Sequence, residues 1–431
     1  MMRILLLISE SWNDTVHPNN NMSNWFMDFP DAEIYTIQCG PEKPENRCCK
    51  NYFSVCDAEM LKSFLPGNRA GKILRYDEYP SKKDSVITPI ENKVYANRNR
   101  LHNGFMRLLR SFIWRFGRYN KELMRQFIED FQPDIIFSQR MGSVKMCRLE
   151  KLVQSLCNVP MVAYTGDNEY AVGLSTKDLF EKINRKWTRC WLDKMIPTYS
   201  LYYSMSKEQM DFYKMKFGVK TKFLVKCGNF SEESKHKFVH DPIRILYAGK
   251  IYAGRAATLS LLVETIAECH LQHRFHLDIF TPDSLDSAME SVLNNSAVSQ
   301  VHSAISASAL RDLYKASDLV LHVEGLDEKN ALATRFSFST KIVDCLASGC
   351  ALLAICDANQ AGLKYLRNNN LAFTAGNQAE IKGVLMHVCH EPVTILETAG
   401  RALQYGSEHH QRQLVQKDIQ NDFREVIYKK C

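Results

Sequence analysis

Short apolar runs alternate with longer amphipathic segments over the second half of the chain. The pattern predicts helices at 256–269, 285–293, 307–316 and 340–348, and buried strands at 243–249, 275–280, 298–301, 319–323 and 351–355. Strands that alternate with helices of about 10–15 residues are typical of a parallel sheet with helices on both faces. The second half is therefore predicted to be an α/β unit.

The first half of the chain has a weaker version of the same pattern. It predicts a helix at 146–157 and strands at 3–8, 33–37, 134–137 and 160–164, whereas 408–430 is a polar helix with no strand after it. We expect a first α/β lobe over 1–205 and a second over 206–405. The segment 406–431 is predicted to pack back toward the first lobe.

Composition indicates a globular protein of two or three domains. The 431 residues are 45% apolar and 24% charged, which is ordinary for such proteins. The longest apolar runs, 4–8 and 351–356, are far shorter than the ~18–20 residues of a membrane span. The first run also lacks the longer apolar region of about 7–15 residues of a secretory signal, so we expect a cytoplasmic protein.

Cysteine usage and charge add two expectations. The 14 cysteines are scattered without a C-x-x-C pair, so free thiols are favoured over disulfides or a zinc site, and no metal site is predicted. Residues 1–240 carry 37 Lys and Arg against 27 Asp and Glu, and the remainder is slightly acidic within a net charge of +7. This asymmetry favours two lobes with different partners.

The first candidate site is the turn after the strand at 243–249. Gly249, Lys250, Gly254 and Arg255 place two cations five residues apart at the predicted carboxyl edge of a parallel sheet, where such folds bind ligands. A lysine and an arginine there suit a pyrophosphate. The alternative is a pair of solvated surface cations.

The second candidate is the start of the helix at 340–348. Ser339 or Thr340 is expected to cap this helix beside Lys341, and the free N–H groups favour an anion. Asp344, one turn further on in an otherwise apolar helix, is suited to accept hydrogen bonds from ribose hydroxyls. The alternative is an ordinary capped helix.

Residues 243–376 resemble the donor-binding lobe of GT-B glycosyltransferases, in particular the large retaining family four. The Lys250 and Arg255 pair has the family's five-residue offset in swapped order, and Gly362 matches its glycine beside the donor. The segments LYKASDLVLH and FSFSTKIVDCLASGCALLA are similar to versions found among polysaccharide-assembly enzymes.

The resemblance implies a GT-B fold, with two Rossmann-like lobes whose parallel sheets face a central cleft. It also implies a hexosyltransferase that takes a sugar from a nucleotide-diphosphate donor, with retention and with neither metal nor other cofactor. Lys250 and Arg255 would neutralise the diphosphate, Gly249 and residues 339–341 would bind the donor, and Asp344 would hold the ribose. The expected acceptor is a glycan or a polyprenyl-linked glycan of lipopolysaccharide or capsule assembly.

The sequence departs from the family in its carboxylates. Position 336, where the first carboxylate of the family's pair belongs, is Phe336, and Glu324, Asp327 and Glu328 are upstream candidates to replace it. This departure favours one alternative, a degenerate protein that binds a nucleotide sugar or a partner without catalysis. The other alternative is a GT-B sugar-nucleotide epimerase, which would share the donor lobe but need no lipid-facing surface. In the first lobe, Asp167 is expected to contact the acceptor or the transferred sugar, or else to cap a helix.

The segment 98–121 is strongly basic and amphipathic. It contains seven Lys and Arg and no acid, and its apolar residues recur at helical spacing. Arg107, Arg110 and Arg118, with Trp114 among them, are expected on the face opposite the apolar one. One interpretation is a helix packed on the core with a solvated basic face, and the other is docking of that basic face on an anionic membrane, at the inner surface. No nucleic-acid motif accompanies it, so nucleic acid is not an expected partner.

Overall fold

The structure is a computed structural model that describes residues 1–16, 21–80, 103–140, 142–166, 168–231, 238–295 and 297–429. The chain divides into two compact units. The first unit comprises Met1–Leu224 and Gln416–Cys431, and the second comprises Val225–Val415.

The first unit is built on an eight-stranded sheet in the order β4-β3-β2-β1-β5-β6-β7-β8. All neighbouring strands are parallel except β3 and β4. The central strand β1 is a continuous apolar run whose residues 4–7 are fully buried, as expected for a parallel strand covered on both faces. The strands are β1 (Met2–Ile8), β2 (Ala32–Gln38), β3 (Asn51–Ser54), β4 (Lys72–Arg75), β5 (Ile135–Arg140), β6 (Met161–Thr165), β7 (Leu201–Ser204) and β8 (Thr221–Phe223).

Helices connect these strands and cover the sheet. They are α1 (Asn21–Phe26), α2 (Asp57–Lys62), α3 (Gly104–Phe116), α4 (Lys121–Phe131), α5 (Val144–Leu156), α6 (Leu179–Met195) and α7 (Lys207–Phe217). Several begin at a residue whose side chain accepts a hydrogen bond from the first turn, such as Asn103 for α3, Ser143 for α5 and Asp178 for α6. Such caps stabilise a helix start by about 1 kcal/mol.

The second unit is built on a six-stranded, fully parallel sheet in the order β11-β10-β9-β12-β13-β14. The strands are β9 (Ile243–Ala248), β10 (Phe275–Thr281), β11 (Ser299–Ser303), β12 (Leu319–Val323), β13 (Ala351–Ile355) and β14 (Ala372–Ala375). All residues of β12 and β13 are buried. The predicted parallel α/β architecture of this half is therefore confirmed.

The helices of the second unit surround its sheet. They are α8 (Arg255–Glu268), α9 (Ser287–Leu293), α10 (Ala307–Lys315), α11 (Glu328–Thr334), α12 (Thr340–Leu346), α13 (Ala361–Asn368), α14 (Gln378–His390) and α15 (Val393–His409). Their apolar sides and the strands form one core that includes Leu259, Leu277, Leu353 and Leu385. Across the described residues of both units, none of the helices combines the length and apolar content needed to cross a membrane.

The first unit extends beyond the predicted boundary at 205. After β7 the chain forms α7 and then β8, and β8 pairs in parallel with β7, so this part of the first unit continues to Leu224. This pairing was not evident from the sequence because β8 is only three residues long and half-buried.

The last helix, α16 (Arg412–Tyr428), contacts the first unit through its part from Gln416 onward. Gln416 donates hydrogen bonds to the carbonyls of Trp25 and Met27 at 2.9 and 2.7 Å. Asp422 accepts from the Tyr203 hydroxyl at 2.6 Å. The polar side chains of this helix are therefore used for packing against the first lobe.

Helix α3 differs from both sequence interpretations in the placement of its aromatic residues, although Arg107 and Arg110 are exposed as expected. Trp114, expected among the basic residues at a membrane interface, is fully buried, whereas Phe105, Phe112 and Phe116 are 47%, 47% and 50% exposed. Burial of Trp114 is stabilised by its indole N–H, which donates to the Asp57 carboxylate. The apolar face of the helix is thus the outer face, and residues 98–102 of the predicted segment lie outside the described part.

Candidate functional site

The loop that follows β9 lies at the carboxyl edge of the second sheet, and it begins with Gly249. Gly249 has φ of 151°, which favours glycine. A Cβ at this position would be 1.7 Å from the Lys341 ammonium nitrogen, so the absence of a side chain lets Lys341 approach the loop. The ammonium also lies 4.8 Å from the centre of the Tyr247 ring.

Arg255, the first residue of α8, forms a two-pronged salt bridge. Its Nε and Nη2 each lie 3.0 Å from an oxygen of Glu324. Glu324 directly follows β12 and is itself buried. Burial alone lowers an arginine's pKa, but the hydrogen bonds and charge of Glu324 raise the pKa of Arg255 above its ordinary value. The guanidinium therefore stays charged at this edge.

Lys341 is the second cation of this edge. Burial lowers its pKa, and the nearby positive charge of Arg255 lowers it further. An anionic ligand would remove this destabilisation, because an opposite charge favours the protonated ammonium. Two cations whose charges act on each other, with the Glu324 carboxylate bound to Arg255, are thus suited to bind a group that carries more than one negative charge.

Lys250, predicted to pair with Arg255, has a different position. Its side chain is exposed, with the ammonium 5.8 Å from the centre of the Tyr252 ring, while its backbone carbonyl accepts from the Tyr247 hydroxyl at 2.6 Å. The structure therefore brings Arg255 together with Lys341 and leaves Lys250 on the outside of the loop.

His322 is a buried neighbour that the sequence analysis did not identify. Burial lowers the pKa of its imidazole from 6.5 to about 4, and its Nε2 has no hydrogen-bond partner among the described residues. The charges that act on it come from Glu324, Lys341 and Arg255. His322 is therefore a buried, uncharged residue next to the candidate site.

Helix α12 begins at the predicted place. Ser339 is its N-cap residue, but its side chain makes no capping hydrogen bond, and Thr340 and Lys341 form the first turn. Asp344, one turn further, accepts two hydrogen bonds of 2.7 Å from the Lys226 ammonium. Its carboxylate remains partly exposed, at 38%, while Lys226 is 9% exposed.

Gly362 allows close packing between helices. It lies in the first turn of α13, and a Cβ there would be 2.7 Å from a methyl carbon of Ile342 in α12. Gln360 caps α13 with a 2.7 Å hydrogen bond from the Leu363 N–H. The glycine therefore holds α13 against the helix that carries Lys341 and Asp344.

The three acidic residues that could replace a carboxylate at position 336 have different surroundings. Phe336 itself is buried. Glu324 is engaged by Arg255, Asp327 caps α11 by accepting from the Asn330 N–H at 3.1 Å, and Glu328 is exposed in the first turn of that helix. Of the three candidate substitutes, only Glu324 contacts a residue of the cationic edge.

Asp167 of the first unit lies outside the described residues. The loop after it is fixed by Glu169, whose carboxylate lies 3.6 Å from the buried guanidinium of Arg140 and accepts from the hydroxyls of Tyr202 and Tyr213. This loop lines a cavity of about 780 Å³ in the first unit.

The described residues contain no group of three or more His, Cys, Asp and Glu side chains arranged to hold a metal ion. The sequence analysis did not predict two salt bridges of the site. They join Arg255 to Glu324 and Asp344 to Lys226. A local signal for the first was the carboxylate directly after β12, at the same sheet edge as the loop after β9. The second had no local signal.

Neither a protein-family model nor a curated protein matches this chain. Solved structures do match over almost its whole length. HepE from Anabaena, crystallised with UDP, has a TM-score of 0.63 and 11% identity, covering 98% of this chain and 100% of its own.

Two further structures have the same two-domain architecture. Sucrose-phosphate synthase from Thermosynechococcus elongatus has a TM-score of 0.62 and 8% identity, with 100% of both chains covered. An α,α-trehalose 6-phosphate synthase from Burkholderia multivorans has the same values. The chain therefore has the GT-B fold with two Rossmann-like lobes, which confirms the predicted fold class.

Proposed function

We propose that this protein is a glycosyltransferase, of the hexosyltransferase type, that uses a nucleotide-diphosphate sugar. The proposed acceptor is a glycan or a lipid-linked glycan in cell-surface polysaccharide biosynthesis, such as lipopolysaccharide or capsule. The proposed reaction retains the anomeric configuration, as in family four, and uses neither metal nor other cofactor.

The observation that carries the proposal is the proximity of Arg255 and Lys341 at the carboxyl edge of the second sheet. Gly249 leaves room for the Lys341 ammonium, and Glu324 holds the Arg255 guanidinium in a fixed orientation. Parallel α/β sheets bind ligands at this edge, and a guanidinium with an ammonium is suited to the oxygens of a diphosphate. The GT-B fold supports the assignment to a glycosyltransferase.

In the proposed reaction, these cations stabilise charge as it develops. The bond between the sugar C1 and the diphosphate oxygen breaks, and the electron pair leaves with the diphosphate. The acceptor oxygen forms a new bond to C1 on the same face and gives its proton to the departing diphosphate. Fixed cations beside the leaving group lower the barrier because they need no reorganisation during the step.

The other predicted site residues have supporting roles in this proposal. Asp344 binds the ribose hydroxyls, while Ser339, Thr340 and Gly362 shape the donor site around α12. Lys250 is a further proposed contact of the diphosphate. Asp167 is proposed to contact the acceptor or the transferred sugar from the first unit.

Two further observations support the donor class and the compartment. HepE has been crystallised with UDP and with UDP-glucose, which makes a uridine nucleotide the first donor to test. All cysteines of the described residues are free, as is usual in a reducing compartment. We therefore propose that the reaction takes place in the cytoplasm.

The first experiment is a thermal-shift screen with UDP-, GDP-, ADP- and dTDP-glucose. A ligand at 100 times its dissociation constant adds about 2.7 kcal/mol to the free energy of unfolding. We expect a shift with one nucleotide class, which Lys341→Ala and Arg255→Gln abolish. Lys329→Ala, which removes an exposed cation of the neighbouring α11, is the matched control and keeps the shift. Lys250→Ala is tested beside them to establish whether that lysine also binds.

The product analysis separates the proposed function from its alternatives. Release of nucleoside diphosphate from the binding sugar nucleotide supports a transferase. Conversion to an isomeric sugar nucleotide without diphosphate release would make the protein an epimerase. Binding without either reaction, in the presence of an acceptor extract, would favour the degenerate protein, for which Phe336 is the supporting feature.

A further inference from the structure

An exposed apolar surface lies on the first unit around helix α3. We call it the aromatic face, and it consists of Leu61, Phe64, Leu65, Phe105, Leu109, Phe112, Phe116, Leu179, Phe180 and Ile183, all of which are 38–65% exposed. Apolar surfaces of this extent on one protein commonly mark a binding surface.

The members of the aromatic face are contiguous across three segments. The Phe112 ring lies 6.4 Å from that of Phe64 and 4.6 Å from that of Phe116, and the Phe105 ring lies 5.3 Å from that of Phe180. These pairs join α3 to the end of α2 and to the start of α6. The surface is therefore one patch rather than scattered side chains.

Polar contacts behind the patch fix this arrangement. Arg110 forms a 3.0 Å salt bridge with Asp57, and Ser111 donates a 2.7 Å hydrogen bond to Asn184. These contacts tie α3 to α2 and to α6. The aromatic side chains therefore project outward from helices that are fixed to one another. Their exposure is a consequence of how these helices pack.

The surroundings of the aromatic face are cationic. Apart from the residues that line the cavity on the other side of α3, residues 57–69, 104–116 and 177–186 carry six Lys and Arg against two Asp and Glu. Lys62, Arg69, Lys177, Lys182 and Lys186 are all exposed. An anionic lipid surface complements both the apolar centre and the positive surroundings, whereas a second copy of the same patch would bring like charges together.

The opposite side of α3 lines the cavity of about 780 Å³. Arg107, Arg110 and Trp114 point to it, whereas Phe105 and Phe112 belong to the exposed side. Since successive helical residues are rotated by about 100°, these two sets lie on opposite faces. One helix thus lies between a cavity with charged side chains in its lining and an apolar outer surface.

We propose that the aromatic face docks the first unit on an anionic lipid bilayer, so that the cavity behind α3 receives the polar head of a membrane-embedded acceptor. The docking follows from the surface alone, and the part about the acceptor rests on the proposed function. The cavity is lined by the cationic side chains of Arg107 and Arg110 and by the carboxylates of Glu10 and Glu42, and charged groups of both signs suit a hydroxyl-rich head.

The test is co-sedimentation of the full chain with vesicles of phosphatidylcholine containing 30% phosphatidylglycerol. We expect the wild type to bind these vesicles and Phe112→Ser/Phe116→Ser to bind at least fivefold more weakly. Met215→Ser/Phe238→Ser removes two exposed apolar side chains from other surfaces and is expected to bind as the wild type does. Lys182→Glu/Lys186→Glu is expected to weaken binding and to reduce its dependence on salt.

Unchanged vesicle binding of Phe112→Ser/Phe116→Ser would overturn the proposal. So would a wild type that ignores the vesicles but sediments as a dimer that these substitutions dissociate, because a second copy would then cover the patch. Circular dichroism and the nucleotide-sugar thermal shift are measured on each variant without vesicles. A lost thermal shift with intact vesicle binding in Lys341→Ala separates the donor site from the docking surface.

Discussion

The guanidinium of Arg255 forms a bidentate salt bridge with the carboxylate of Glu324, with Nε and Nη2 each 3.0 Å from one of its oxygens. This geometry orients the guanidinium at the carboxyl edge of the second sheet and keeps it charged. It also means that Glu324, a sequence candidate to replace the missing acid, is engaged by Arg255.

Removing one partner of this salt bridge is expected to destabilise the protein. Glu324→Ala leaves the Arg255 guanidinium largely buried without a counter-charge, and we expect a loss of about 3 kcal/mol in the free energy of unfolding. Urea denaturation measures it. Glu328→Ala, which removes an exposed carboxylate four residues away, is expected to change stability by less than about 0.5 kcal/mol. Equal stability of the two variants would contradict the role assigned to Glu324.

Gly249 is expected to tolerate no side chain. In Gly249→Ala the new Cβ would displace the Lys341 ammonium and would adopt a φ of 151°, which costs about 1–3 kcal/mol. We therefore expect both lower stability and loss of the nucleotide-sugar thermal shift. Gly383→Ala is the matched control, because nothing lies within 4 Å of its new Cβ in α14, and it is expected to stabilise the helix by about 0.4–1 kcal/mol. An unchanged stability and thermal shift in Gly249→Ala would contradict the requirement for glycine beside the Lys341 ammonium.

The Asp344 carboxylate either binds the donor or only forms the salt bridge with Lys226, and one substitution distinguishes these two roles. Asp344→Asn keeps the shape of the side chain and removes its charge. If the carboxylate binds ribose hydroxyls, we expect the dissociation constant of the donor to rise about tenfold, equivalent to about 1.4 kcal/mol. Isothermal titration calorimetry measures it. An unchanged dissociation constant, together with equal destabilisation by Asp344→Asn and Lys226→Met, would assign Asp344 to the salt bridge alone.

The pH dependence of stability is expected to reflect two buried histidines of the second unit. Burial lowers the pKa of His322 and of His410 from 6.5 to about 4. The unfolded chain therefore binds more protons between these values, and stability falls as the pH decreases from about 6.5 to 4, by up to about 1.4 kcal/mol per pH unit for each histidine.

Urea denaturation at several pH values checks this expectation. His322→Gln and His410→Gln should each flatten the dependence between pH 6.5 and 4. His273→Gln, at an exposed position, should leave it unchanged. A wild-type slope that survives in the double variant His322→Gln/His410→Gln would show that other groups cause the acid sensitivity.

The interior of the first unit contains a charged cluster that fixes the loop after β6. Arg140 lies 3.6 Å from both Glu150 and Glu169, and all three side chains are fully buried. Arg140→Met leaves two buried carboxylates without a cation and is expected to cost about 3–5 kcal/mol. Arg125→Met removes only an exposed pair with Glu122, which is worth less than about 0.5 kcal/mol. A loss below about 1 kcal/mol for Arg140→Met, measured by thermal unfolding, would exclude a structural role for the cluster.

The sequence by itself determined most of the second unit. Strands such as β12 and β13 are continuous apolar runs between helices, and a buried parallel strand is recognisable from such a run alone. The same local reasoning placed Gly249, Arg255 and Lys341 at the edge of the sheet, because strand ends and helix starts are read from neighbouring residues.

Tertiary structure alone decided which charges meet and which face of α3 is covered. Arg255 and Glu324 are 69 positions apart, and Lys226 and Asp344 are 118 apart, so a local pattern can place Arg255 and Glu324 at one sheet edge but cannot show which charges are in contact. The periodicity of α3 indicates two unlike faces, but its neighbours determine which one is buried. Here Asp57 accepts a hydrogen bond from buried Trp114, and the phenylalanine side is left at the surface.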